Sequence, residues 1–336
     1  MIMTLLSKIR PDNFTLALVG TVILASLLPV QGGAAELFGS ATQIAVAALF
    51  FLHGVNLSPE AMTAGLGHWR LHLAVLAATF VLFPLLGLGV QMLPTSILSA
   101  PLATGILYLC CLPSTVQSSI AFTSIARGNV PAAICSASLS NLLGVFVTPF
   151  MVSLLIHANG TVTLGSIEAI IVQILVPFSA GQLLHSRLGA WAKRNKPILA
   201  IVDRGSILMV VYGAFSEAVS RGLWNQLPLE SLAVMAVLNF VLLGIVLGLT
   251  DRFGRAVGFN AEDRITLIFC GSKKSLASGV PMANILFPAA MVGPVVLPLM
   301  LFHQIQLMAC AYLARRFAGR AAPAEAADER HPPLAA

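Results

Sequence analysis

Apolar residues run along this chain in long blocks, with short polar or turn-rich breaks between them. A helix crosses the hydrocarbon of a bilayer in about 20 residues. Ten blocks approach that length, at about 14–30, 38–56, 71–92, 103–126, 130–156, 166–185, 204–220, 230–250, 264–287 and 289–314. The fourth and ninth are the least helix-like. Both are polar; Pro113 interrupts one, and Gly271, Gly279 and Pro281 interrupt the other. The pattern predicts an all-α polytopic membrane protein with ten transmembrane helices. Lys8 and Arg10 ahead of FTLALVGTVILASLLP have the outline of a signal peptide, but the block is long for that role and reads as the first span. The closing RAAPAEAADERHPPLAA is rich in Ala, Pro and charge, and a disordered cytoplasmic tail is expected over 318–336.

The blocks divide into two sets of five, over 1–157 and 158–317. Halves with an odd number of spans have opposite orientations, so a likeness between them is an inverted repeat. FFLHGVNLSPEA closes span two and MVVYGAFSEAV closes span seven; LCCLPSTVQSS lies in span four and IFCGSKKSLASG in span nine. Interrupted spans at matching positions of two halves point to a binding site near the midplane, where unwound backbone lines a cavity rather than facing lipid.

Composition supports the membrane reading. Of 336 residues, 57% are hydrophobic and 10% charged, and mean hydropathy is +0.90; a soluble domain carries about 25% charged residues. The net charge of +6 matters through its placement, not as a sign of nucleic-acid binding. With the N-terminus cytoplasmic, sixteen of the 19 Lys and Arg fall at the cytoplasmic side, Arg221 falls outside, and Lys273 and Lys274 remain. That asymmetry follows the positive-inside rule and puts both termini in the cytoplasm. Cys110, Cys111, Cys135, Cys270 and Cys310 all lie in apolar stretches without CxxC or Cys/His spacing, so no disulfide framework, metal site or cofactor is expected.

The chemistry concentrates in the two interrupted spans. After Pro113, Ser114, Gln117 and Ser118 share one helical face, and Ser119 and Thr123 share an adjoining one. In span nine, Ser272 and Ser275 flank Lys273 and Lys274. A charge at the bilayer centre costs at least about 2.5–3.5 kcal/mol, so two adjacent cations need compensation. Few acids lie in the spans, among them Glu168 and Glu217. An anionic substrate would supply the missing charge, with Glu217 as another source. In the alternative reading, the lysines lie near an interface and snorkel to headgroups. In span five, Ser136, Ser140, Gly144 and Thr148 recur every four residues, a pattern of close helix contact; Asn141 beside them is a polar candidate. His53, Asn56 and His303 read as packing or interfacial groups, and Trp69, Arg70 and Trp224 as interface anchors.

The segments CCLPSTVQSSIAFTSIARGNVPAAI, FFLHGVNLSPEA and FCGSKKSLASGVPMANILF resemble the bile acid:sodium symporter superfamily. Within it they are most similar to the bacterial branch resembling solute carrier family 10 member 7. The resemblance covers about residues 10–315. It implies two inverted five-helix repeats with helices 4 and 9 broken and crossing. It also implies a core domain from helices 3–5 and 8–10, a panel domain from helices 1, 2, 6 and 7, and residence in a bacterial inner membrane. The sodium-coupled pattern is not kept. Ile268 stands where that pattern has a glutamate, Ser272 and Lys273 replace a Gln-Asn pair, and Ser119 and Ile120 replace a Ser-Asn pair. Ala133 and Ala137 fall on the sodium-facing side of helix five, and Thr79 replaces a glutamine. Sodium, as a hard cation, needs about five or six oxygen ligands, and a neighbouring lysine repels it.

These readings converge on a secondary transporter of a small organic anion working by alternating access, with Ser114, Gln117, Ser118, Ser119, Asn141, Ser272, Lys273, Lys274 and Ser275 as substrate-binding residues. Sodium coupling is doubtful, and a proton carried through one of the lysines is the other option. The alternative is a non-transporting regulator or scaffold on the same fold. A membrane-embedded enzyme is disfavoured because the sequence offers no HExxH and no intramembrane Asp pair.

Overall fold

The structure is a computed structural model that describes residues 13–56, 68–156, 171–222 and 229–328. Lys8, Arg10, Glu168 and Trp224 lie outside the described residues. Every regular element among those described is helical. In chain order these are α1 (Asn13–Leu27), α2 (Gly33–Asn56), α3 (Trp69–Gln91), α4 (Ala100–Cys111), α5 (Val116–Ile125), α6 (Val130–Leu155) and α7 (Ile171–Leu183). They continue as α8 (His185–Arg194), α9 (Lys196–Ser220), α10 (Leu229–Ala256), α11 (Ala261–Gly271), α12 (Leu276–Leu286) and α13 (Ala289–Asp328). Among the described residues, α2, α3, α6, α9, α10 and α13 are each long and apolar enough to cross a bilayer. The pair α4–α5, bent by 65°, passes the same length-and-composition test when taken together, and α1 and α7 are shorter apolar helices. Leu37, Ile44, Leu85, Phe150 and Phe240 stand exposed on the outer surface. An apolar exterior of this kind fits lipid, not water.

Local chemistry sets the helix ends. Pro101, Pro131 and Pro197 each occupy the first turn of a helix (α4, α6 and α9), where the missing N–H is no loss. Asn129 caps α6, its side-chain oxygen accepting from Ala132 N at 3.0 Å, and Asn260 caps α11 by accepting from Asp263 N at 2.7 Å. Asn129 also donates through Nδ2 to Asp263 Oδ1 at 2.8 Å, so the start of α6 holds the start of α11.

Three features depart from the pattern expected from the sequence. The span expected from 204 starts at Lys196, which places Asp203 two turns inside α9. A short amphipathic helix, α8, intervenes before it. The last helix runs to Asp328, into the stretch read as a disordered tail; alanines, the strongest helix formers, are frequent there.

Packing separates two sets of contacts. Helices α1, α2, α7 and α9 pack on one another, while α3, α4, α5, α6, α10, α11 and α13 pack around the two interrupted segments. The sets meet chiefly where α9 lies against α12 and α13, with a smaller contact between α6 and α7.

Candidate functional site

The breaks at 112–115 and 272–275 lie against each other and are hydrogen-bonded in both directions. Ser275 N donates to Pro113 O at 2.9 Å, and Thr115 Oγ1 donates to Lys274 O at 2.8 Å. Ser114 Oγ donates to Cys270 O at 2.6 Å and Ser119 Oγ to Phe269 O at 3.1 Å. Gln306 of α13 clamps the second break by accepting from Lys274 N at 2.9 Å and donating to Lys274 O at 3.0 Å. Helix α6 seats the first break. Ser140 Oγ accepts from Ser114 N at 3.1 Å, and Thr148 Oγ1 donates to Cys111 O at 2.8 Å. A β-carbon on Gly144 would fall 2.5 Å from Pro113 Cβ, so only glycine leaves room for the proline ring. The four-residue stripe is thus the bed of the broken helix.

Lys273 and Lys274 are both 0% exposed. Lys274 Nζ donates to Thr79 O at 2.8 Å, Cys110 O at 2.7 Å and Leu112 O at 2.7 Å. Three acceptors match the three N–H donors of an ammonium group. The ring of Phe83 lies 4.2 Å from the nitrogen and adds a cation–π contact. The sequence explains why these carbonyls are free. Residues 78–82 form a π-turn, in which the Thr79 carbonyl would pair with residue 84, but Pro84 has no N–H. Cys110 faces the same problem: Pro113 has no N–H, and the Ser114 N–H is turned to Ser140. Lys273 is held more lightly, by one bond to Ser118 O at 2.7 Å and by the Phe122 ring at 3.9 Å.

Two pockets open between the crossing and the α2/α9 layer. One, of 180 Å³, is lined by Thr115, Gln117, Ser118, Asp203, Arg204 and His303 among others. The other, of 440 Å³, is lined by His53, Asn56, Gln117, Lys196 and Asp203 among others. Gln117 and Asp203 belong to both, so the two are neighbours across one ledge. Ser118 Oγ is buried with no hydrogen-bond partner among the described residues.

Of the residues picked from the sequence, Gln117 and Ser118 line these pockets. Ser114, Ser119, Ser272 and Ser275 are engaged within the crossing: Ser272 Oγ donates to Ile268 O at 2.6 Å, and Ser275 Oγ caps α12 at Ser278 N, 3.2 Å away. Asn141 Oδ1 accepts from Ser278 Oγ at 2.9 Å. The lysines neither snorkel nor reach open solvent. Glu217, weighed as their counter-charge, instead accepts from Arg221 Nε at 2.7 Å, one turn along its own helix. Of the positions given to sodium ligands by resemblance, Ile268, Ala133 and Ala137 are buried and present no side-chain oxygen, while the hydroxyls of Thr79, Ser119 and Ser272 donate to Val75 O, Phe269 O and Ile268 O.

The sequence reading missed Gln306, Asp203 and Arg204. Asn195 followed by Pro197 and the apolar run ILAIV signals a helix start at 196 and would have revealed the last two.

A sequence model described as the SBF-like CPA transporter family matches residues 12–319. Curated relatives include the uncharacterized protein PA2026 of Pseudomonas aeruginosa, 58% identical over 322 residues, covering 95% of this chain and 97% of that protein. "Putative symporter YfeH" of Escherichia coli is 52% identical over 307 residues, 91% of this chain and 92% of that protein. The sodium/bile acid cotransporter 7 of Rattus norvegicus is 30% identical over 317 residues, 91% of this chain and 92% of that protein.

Proposed function

The chain belongs to the SBF-like CPA transporter family, a family of integral membrane transporters, and from that membership we propose that it moves a small organic anion across the bacterial inner membrane by alternating access without sodium. The observation that carries the sodium clause is the Lys274 ammonium inside three backbone carbonyls at the crossing. Carbonyl dipoles of broken helices bind cations; here the chain fills such a cage with a cation of its own. An inorganic ion here would have to displace that ammonium, and Ile268, Ala133 and Ala137 offer it no side-chain oxygen.

The architecture behind this reading is ten spans in two inverted five-helix repeats, 1–157 and 158–317, with both termini cytoplasmic. In that frame α3–α6 and α10–α13 form a core that rocks against a panel of α1, α2, α7 and α9. The packing of α9 against α12 and α13 marks the seam. The substrate lies at that seam, against Gln117 and Ser118 on the core and Arg204 on the panel. Positive charge on Arg204 and Lys196, together with the unpartnered Ser118 hydroxyl, favours an anion over a cation or a sugar. The relatives' printed names, symporter and cotransporter, agree with transport and not with an enzyme.

The test is a thermal-shift panel of organic anions on purified protein, followed by proteoliposome uptake of any stabilising anion, each in sodium and in choline buffer. Equal stabilisation and equal uptake in the two buffers are expected. Uptake that collapses in choline refutes sodium independence.

A further inference from the structure

One acid sits in the pocket proposed for the anion, and it sits there paired. Asp203 Oδ1 of α9 lies 3.3 Å from His53 Nε2 of α2, with the two side chains 25% and 22% exposed. Asp203 lines both pockets, and Gln117 of the crossing faces it in both. We propose that this pocket is a joint site for a monocarboxylate and a proton, the proton being taken up by the His53–Asp203 pair as the anion binds. The inference rests on the anion-transporter reading above and names the second occupant of the same site.

The physical reason is like-charge repulsion. An anion held by Gln117 and Ser118 shares its ledge with the Asp203 carboxylate, and two negative charges a few ångströms apart disfavour each other. With imidazole Nε2–H donating to Oδ1, a proton from solution adds to Nδ1 and leaves the Nε2–H bond in place. The pair then changes from net negative to neutral, and the repulsion on the anion disappears. Linkage makes the effect reciprocal: a proton that tightens anion binding is itself bound more tightly when the anion is present.

The other charges around the pair do not substitute for this step. Lys196 and Arg204 on α9 are fixed cations of the pocket wall. His303 of α13 lines the smaller pocket and lies 2.9 Å from Gln306 Nε2. Helix α8, packed on α2, brings Arg187, Lys193 and Arg194, together with His185, whose Nδ1 meets Val55 O at 2.7 Å. Helices α1, α5, α7 and α12 bring no charged residue. Lys273 lies behind the ledge, bonded to Ser118 O. Glu36 and Glu217 stand at the opposite ends of α2 and α9. Asp203 is therefore the one carboxylate among the described residues that an anion here would meet.

The experiment is isothermal titration of the purified protein with butyrate, benzoate and cholate at pH 7. Each titration is run in imidazole and in Tris buffer, whose different ionisation heats report protons taken up on binding. The parent protein should bind at least one probe with net proton uptake. Asp203→Asn should hold the probe about tenfold more tightly at pH 8, a coupling of ordinary size. His53→Gln removes the imidazole that takes the proton, so it should abolish the uptake and weaken binding about tenfold. The double variant should regain affinity without taking up a proton, and a single sharp size-exclusion peak for each single variant shows that it folds. Binding without proton uptake, or uptake that survives in His53→Gln, overturns the joint site while leaving the anion transporter standing. If no probe binds the parent protein, the joint site and the anion reading fall together.

Discussion

Replacing Lys274 with methionine tests the cage directly, because the stem volume stays nearly constant while the ammonium is lost. Three carbonyl groups, of Thr79, Cys110 and Leu112, would lose their donor inside a fully buried site. An unsatisfied buried group costs about 1–3 kcal/mol, so the gross loss is about 3–9 kcal/mol. The opposing gain is that an ammonium no longer has to be buried, a relief of several kcal/mol. The ammonium is already tied to three carbonyls and a ring face, so this relief offsets only part of the loss, and a net loss of about 3 kcal/mol, the lower end of that range, is expected. The carbonyls cannot turn back into helix bonds, since Pro84 and Pro113 remove the competing N–H groups. The loss should therefore persist, and an apparent melting temperature in detergent at fixed scan rate should fall by about 6 °C or more. Lys274→Ala goes further, because it opens a space bounded by the same three oxygens. Ammonium or sodium ions, but not choline, should restore part of its melting temperature; an ion at a hundred times its dissociation constant returns about 2.7 kcal/mol. A methionine variant as stable as the parent, or an alanine variant indifferent to all three cations, refutes the cage.

Lys273 makes one carbonyl bond and one close ring contact, against three bonds for Lys274. Lys273→Met should cost about 1–3 kcal/mol in stability. It should weaken anion binding more than it lowers the melting temperature, since Ser118 lines the pocket; a melting loss equal to that of Lys274→Met argues against this ranking. Gly144→Val should lower the melting temperature through overpacking against Pro113, a loss of about 1–3 kcal/mol, and an unchanged melting profile removes Gly144 from the bed of the break.

Hydrophobic block length located the apolar helices, because a bilayer imposes one length on a helix that spans it; six of them, and the bent pair α4–α5 taken together, are long and apolar enough to cross. Each of the ten blocks has a helix, or a broken pair, among the described residues. Pro113 marked one break, and the Gly271–Gly279 region the other. The clustering of hydroxyls at the breaks was equally legible, but what each hydroxyl does was not. Ser114, Ser119 and Ser272 donate to nearby carbonyls because a broken helix frees backbone acceptors that must be paired in a dry interior. Gln117, one residue before Ser118, escapes that demand and faces a pocket. The π-turn in α3 has no sequence signature beyond Pro84, so the Thr79 carbonyl could not be foreseen as a lysine ligand. Asp203 was hidden by a boundary drawn one helical segment late. Its pairing with His53, 150 positions earlier, depends on how α2 and α9 pack.

A tethered cation changes what can drive an alternating-access cycle. A ligand biases a conformational equilibrium only through the difference in its affinity for the two states. An exchangeable ion supplies that bias by loading on one side and leaving on the other. Lys274 cannot leave: its ammonium is bonded to α3 and to the end of α4 while its backbone is clamped by Gln306 of α13. On the proposed reading all of these lie in the same core, so the lysine moves with its own ligands and contributes equally to both states. It holds the crossing together electrostatically and carries no gradient. On that same reading, energy coupling falls to a group that meets solvent and faces the seam between core and panel. In the pocket between core and panel, the His53–Asp203 pair satisfies both conditions, partly exposed and opposite Gln117.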